Sequence, residues 1–207
     1  SGSKLAWIFQ NETNTADAIR NGNALVGTID TFLMAKLSGG EIHATDASNA
    51  SRTLLLNIKT GGWDSDLIKA LGLPSDLIKA LPRVQDSAGV FGKTKGLGIL
   101  PDGIPISGVL GDQQAALAGQ ACFSPGEAKC TYGTGAFLLM NTGSSPQYSK
   151  HGLLSTIAWS LGSKIEYALE GSAFVSGAAV QFMRDKLSLI NKAAETEAIA
   201  LPVTAAP

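Results

Sequence analysis

Apolar positions along the chain recur first at helical spacing and then, beyond about residue 127, at strand spacing. Lys4–Gln10 and Thr15–Asn21 read as short helices, the second stopped by Asn21-Gly22-Asn23. In Gly27–Leu37, Ile29, Phe32, Leu33 and Leu37 return on one helical face. Thr28 or Asp30 is placed to cap that helix and Gly39-Gly40 to end it, so the pattern predicts a buried helix. Ile42–Arg52, rich in Ser, Thr, Asn and Asp, reads as a structured turn region. The string Asp-Leu-Ile-Lys-Ala-Leu occurs at 66–71 and again at 76–81. Each copy follows a capping residue (Asp64 or Ser65, then Ser75) and precedes Gly72 or Pro82, predicting two small surface helices around Pro74. One short repeat does not make a solenoid. Val84–Gly103 is glycine-rich and reads as loop, followed by a strand over Ile104–Leu110.

Gln113–Gln120 continues as helix until Ser124-Pro125-Gly126 breaks it. Glu127–Tyr132 and Ala136–Asn141 then alternate as a hairpin around Gly133-Thr134-Gly135, and Leu153–Trp159 and Lys164–Leu169 as two more strands. Gly177–Leu187 and Ala193–Leu201 close the pattern as helices. Strands followed by helices point to a second α/β unit. The expected division is a first unit over 1–119, a hinge at 120–127 and a second unit over 128–207.

With 207 residues, 44% of them hydrophobic and 16% charged, the chain is long and apolar enough for a globular core. A net charge of −1 gives no electrostatic footprint for nucleic acid or an anionic membrane. No apolar run approaches the roughly 20 residues that span a bilayer, and no basic region leads into an apolar one at the N-terminus. Cys122 and Cys130 read as reduced, buried thiols of a cytoplasmic protein. His43 and His151 have no carboxylate or cysteine at metal-ligand spacing and read as surface or turn residues. The first residue is Ser rather than Met, which suggests an internal or processed segment.

Candidate chemistry gathers in two places. Asp112 ends an apolar strand at the start of a helix, where its charge is favoured and its position fixed. On spacing alone a helix-capping aspartate is the simpler reading. Thr134, between two glycines in a tight turn, sits where small residues let backbone N–H groups approach an anion, although plain hairpins carry such threonines too. A lone carboxylate beside an anion-holding turn suits phosphoryl transfer: one base for a hydroxyl, backbone dipoles for phosphates. Ser87-Ala88-Gly89-Val90-Phe91-Gly92-Lys93-Thr94 imitates a P-loop, but Gly96, Gly98 and Pro101 exclude the helix that must follow one.

Val109-Leu110-Gly111-Asp112-Gln113-Gln114 and Tyr132-Gly133-Thr134-Gly135-Ala136-Phe137 together resemble the centre of the FGGY carbohydrate kinases, and more closely their glycerol kinase branch. Gly27-Thr28-Ile29-Asp30-Thr31, Thr45–Thr53 and Gly171–Gln181 extend the resemblance along nearly the whole chain. It implies an α/β actin-like (ribonuclease-H-like) two-domain fold, with both domains incomplete in this chain, and phosphorylation of glycerol to glycerol 3-phosphate by ATP. On this basis Asp112 is the catalytic base, and Asp112, Gln113 and Phe137 contact the polyol. Thr134, Gly177 and Gln181 would touch ATP, whereas a helix-packing glycine and a plain surface glutamine remain alternatives for the last two. Asp30, Asp46 and Arg52 are expected as internal hydrogen-bond partners. Phe32 stands where the branch usually has tryptophan, and Cys130 where it has asparagine, a change expected to affect packing more than chemistry.

The family's Mg2+-associated aspartate, first phosphate hairpin, polyol-gripping Arg–Glu pair and adenine-holding residues have no counterpart here, so the chain alone is expected to be inactive. Pro101-Asp102-Gly103 lacks the arginine of a sugar-bisphosphate inhibitor loop, and Val90–Gly103 lacks a phosphorylatable histidine. Glycerol and ATP are the expected partners, with homo-oligomerisation left open. A xylulose-type sugar kinase, or a non-catalytic protein on the actin-like scaffold, are the competing readings.

Overall fold

In the computed structural model, which describes residues 1–203, helices dominate the first third of the chain. They are α1 (Gly2–Asn11), α2 (Thr13–Arg20) and α3 (Ile29–Leu37), followed by β1 (Ala44–Asp46), α4 (Ala47–Ser51), β2 (Leu56–Asn57), β3 (Gly62–Trp63) and α5 (Ser65–Ala70). A 3-10 turn over Ser75–Ala80 leads to β4 (Arg83–Gln85), β5 (Ala88–Lys93), β6 (Pro105–Gly108) and α6 (Asp112–Gly119). The remainder is β7 (Ala128–Tyr132), β8 (Ala136–Gly143), β9 (Leu154–Leu161), β10 (Lys164–Ala173), α7 (Gly177–Asp185) and α8 (Glu195–Ala200).

Three small pairings serve the first part: β1 with β4 in parallel, β2 with β3 and β5 with β6 antiparallel. The second part is one antiparallel sheet in the order β7-β8-β10-β9. Its register aligns Lys129 with Leu139 and Leu139 with Glu170, and likewise Thr131 with Phe137 and Phe137 with Ser172. Residues directly opposite one another share a face, so all six side chains line one side of the sheet. Helix α6 lies on that side, where Leu117, fully buried, packs with Leu139 and Ala168.

Bonds that span the expected division tie the two parts together. Arg52 pairs with Glu170 at 2.8 Å, the Tyr167 hydroxyl donates to the Ile58 carbonyl at 3.0 Å, and the Gln114 amide donates to the Ile157 carbonyl at 3.2 Å. Asp30 and Asp46 are buried with hydrogen-bond partners, as expected.

Several expectations need correction. Ile42–Arg52 is not a turn region but β1 leading into α4, because Asp46 caps that helix with its side chain. Val84–Gly103 contains β4 and β5 rather than loop alone. Gly92 is not a loop glycine there: a Cβ at this strand position would collide with Ile42. The strand expected over Ile104–Leu110 is shorter, Pro105–Gly108. The α3 stripe faces outward, with Ile29 69% and Phe32 55% exposed, while Asp30, Thr31 and Met34 are buried. Its polar side turns inward because Asp30 accepts from Thr45 of β1 at 2.7 Å and from Thr28. Cys130 is exposed, not buried; only Cys122 is. His43 is half-buried, its ring nitrogen 2.9 Å from the Val26 carbonyl, and His151 is exposed.

Candidate active site

The site is built where α6 begins over the β7–β8 hairpin. Gly111, not Asp112, occupies the capping position of α6, and its extended backbone (φ −60°, ψ 150°) makes the turn into the helix. A Cβ on Gly111 would lie 2.7 Å from Oε1 of Gln114, and its N–H donates to Ser48 Oγ at 2.9 Å. Gly111 is therefore held from two sides, and Asp112 falls one residue later, on the first turn proper. That placement overturns the simpler capping reading. The carboxylate is exposed and receives only Gln113: its backbone N–H at 2.9 Å and its side-chain amide at 3.4 Å.

Gln113 is half-buried, and its Oε1 accepts from Lys129 Nζ. Lys129 also donates to Thr131 Oγ1 at 2.9 Å and to the carbonyl of Phe137 at 3.4 Å. The lysine thereby joins the first turn of α6 to both strands of the hairpin. Burial pushes its ammonium below the usual lysine value, and the charges of Cys130, Asp112 and Glu170 pull it back up. Asp112, Gln113 and Phe137 are thus assembled around one side of the sheet. Cys130, one residue along, has the opposite orientation in the strand.

Three residues before Phe137, roughly 10 Å along the strand, the hairpin turns at Gly133-Thr134-Gly135. This turn docks on the start of α7. Ser176 N–H and Ala178 N–H donate to the Thr134 carbonyl at 2.8 and 3.2 Å, and Gly177 N–H donates to the Gly133 carbonyl at 2.9 Å. A Cβ at Gly135 would sit 2.6 Å from the Ala173 carbonyl oxygen, and one at Gly177 2.5 Å from that of Gly133. Close backbone approach explains these two glycines, whereas a Cβ at Gly133 meets nothing nearer than 3.8 Å. The first amides of α7 are therefore spent on the hairpin. Among the described residues the amides of Thr134 and Gly135, and the Thr134 hydroxyl, have no protein partner. Those three donors are the ones left for an anion. Gln181, four residues after Gly177 on α7, is exposed.

The P-loop imitation is strand β5, with no helix after it. Lys129, Gly111 and Glu170 were not singled out by sequence reasoning. Only the strand register, which puts Lys129 on the same side as Phe137, would have marked the lysine.

An exposed carboxylate at the start of a helix, a glutamine beside it and a tight turn with unspent donors thus border one continuous sheet. Residues 1–119 match the model of the FGGY family of carbohydrate kinases, N-terminal domain, and the chain belongs to that family. Its fold is the actin-like one of the family's solved members. The chain is 53% identical over 204 residues to the glycerol kinase of Bdellovibrio bacteriovorus, covering 98% of this chain and 41% of that protein. The crystal structure of Plasmodium falciparum glycerol kinase with ADP superposes with a TM-score of 0.88 at 40% identity, over 97% of this chain and 39% of that one. Xylulose kinase from Rhodospirillum rubrum superposes with a TM-score of 0.77 at 23% identity, over 98% and 40% of the two chains, a likeness of fold alone. The chain spans about 40% of the length of the curated relatives it matches.

Proposed function

We propose that this chain is the central part of a longer glycerol kinase. In that reading Asp112 accepts the proton of a terminal glycerol hydroxyl as its oxygen attacks the γ-phosphate of ATP, the bond to the β-phosphate breaks and ADP leaves. Gln113 and Phe137 orient the polyol. The free amides of Thr134 and Gly135 and the Thr134 hydroxyl hold phosphate oxygens, with Gly177 allowing the turn to seat and Gln181 reaching the nucleotide. The observation that supports this chemistry is the unspent carboxylate of Asp112, exposed on the first turn of α6 with only its neighbour Gln113 as partner. The similarity to glycerol kinases supports the choice of acceptor.

No cluster of three or more His, Cys, Asp or Glu side chains able to hold a metal occurs among the described residues. No step above is assigned to the Mg2+ that the family implies. The division at 120–127 belongs to the same proposal. Those residues carry neither helix nor strand, and closure about them would exclude water from the phosphoryl group. The bonds of Arg52 to Glu170 and of Tyr167 to Ile58 tie β10 across that division to the segment around α4 and β2. A cytoplasmic location completes the reading; no described helix is long and apolar enough to cross a membrane.

Turnover of the full-length kinase on glycerol, dihydroxyacetone and pentuloses tests the acceptor. Glycerol should give the highest kcat/KM, and a pentulose preference would favour the xylulose-type alternative. The 207-residue chain alone should transfer no phosphate to glycerol.

A further inference from the structure

We propose that Lys129 is a positioning residue for the acceptor site, locking the amide of Gln113 in one orientation. The inference rests on the reading of Asp112 and Gln113 as acceptor-binding residues. Lys129 is only 5% exposed. An ammonium has three donors, and here they meet three oxygens: Gln113 Oε1, Thr131 Oγ1 and the Phe137 carbonyl. Because Oε1 faces the lysine, the NH2 of Gln113 faces away, 3.4 Å from Asp112 Oδ2. A flipped amide would set its own donors against the ammonium. Gln113 therefore presents donors to an acceptor oxygen lying beside Asp112, which is the polarity a hydroxyl losing its proton to that carboxylate requires.

The charge itself has no structural employment that explains its burial. Among the described residues no carboxylate lies within ion-pair distance of Lys129, and its three partners are neutral oxygens. Glu170, on the same side of the sheet, is already paired with Arg52 at 2.8 Å. An apolar side chain would pack here without the cost of burying a charge, since Leu139 and Leu117 lie alongside.

The test uses the full-length kinase carrying this chain. Lys129→Met should raise KM for the acceptor about tenfold and leave KM for ATP within about twofold. Lys129→Arg, which can still donate to Gln113 Oε1, should return the acceptor KM to within about threefold of the parent. In a Gln113→Ala background, Lys129→Met should change the acceptor KM by less than about twofold, because the amide it orients is gone. An unmoved acceptor KM in active Lys129→Met, or full additivity with Gln113→Ala, would overturn the proposal. If Lys129→Met does not fold, Thr131→Val removes one tether at an exposed residue and should raise the acceptor KM about threefold; no change there overturns it equally. A parent enzyme without polyol phosphorylation would defeat the functional reading itself. An active parent with insensitive variants would defeat only the role of Lys129.

Discussion

Asp46 and Asp112 each stand at the start of a short helix, yet the fold uses them in opposite ways. Asp46 caps α4 and is completely buried. It accepts from the Ser48 and Asn49 N–H groups at 2.9 Å, from the Asn49 amide at 2.8 Å and from the Ser87 hydroxyl at 2.6 Å. Asp112 stands one position later in its helix, is exposed, and meets only Gln113. The difference is a shift of one residue, made by Gly111 taking the cap. A capping carboxylate spends its lone pairs on the backbone, whereas one on the first turn keeps the favourable helix end and leaves its oxygens to a ligand.

The comparison breaks most visibly in stability. Asp46→Ala should cost about 3 kcal/mol, because a cap is lost and buried donors are left unpaired, whereas Asp112→Ala should cost less than about 0.5 kcal/mol. Thermal unfolding of the two full-length variants side by side measures this, and equal losses would erase the distinction. A smaller contrast sits in the turn. Gly135→Ala forces a Cβ against the Ala173 carbonyl and should weaken ATP binding about tenfold, while Gly133→Ala should change it less than about twofold. Titration with ATP reads both. Smallest is the effect of Asp86, whose carboxyl is held below its ordinary 3.8 by the Ser160 hydroxyl and the Ser163 N–H. Its folded value is depressed, so its stabilisation is present above 3.8 and lost as pH falls through the lower value in the fold. Asp86→Asn should lower Tm by about 2 °C near neutrality and converge with the parent in strong acid.

The twin hexapeptides show where sequence runs out. Ser-Asp-Leu-Ile-Lys-Ala forms α-helix at 65–70 but a 3-10 turn at 75–80. The buried residue shifts with it: Ile68 in the first copy, Leu77 in the second, leaving Leu67 and Ile78 exposed. Asp64 caps the first copy through its side chain, while Pro74 precedes the second with no side-chain cap. Neighbours outside the repeat decide, as they do at α3, where the hydrogen bonds of Asp30 outweigh the apolar stripe. The hairpin, α6 and α7 were legible because alternation, turn glycines and helix breakers all agree there. Asp112, Gln113, Thr134 and Phe137 were legible as short motifs. Lys129 was not, because a lone lysine in an alternating strand reads as a solvated position until the register sets it under α6. Nor was the docking of the Thr134 turn on α7, which depends on bonds such as Ser176 N–H to the Thr134 carbonyl, far apart in the chain.

The most direct measurement replaces Asp112 by Asn in the full-length kinase and follows ATP affinity and turnover on glycerol together. The account predicts ATP affinity within about threefold of the parent and a kcat lower by about a thousandfold or more, some 4 kcal/mol of transition-state stabilisation. A kcat within about tenfold of the parent, with ATP still bound, would contradict it.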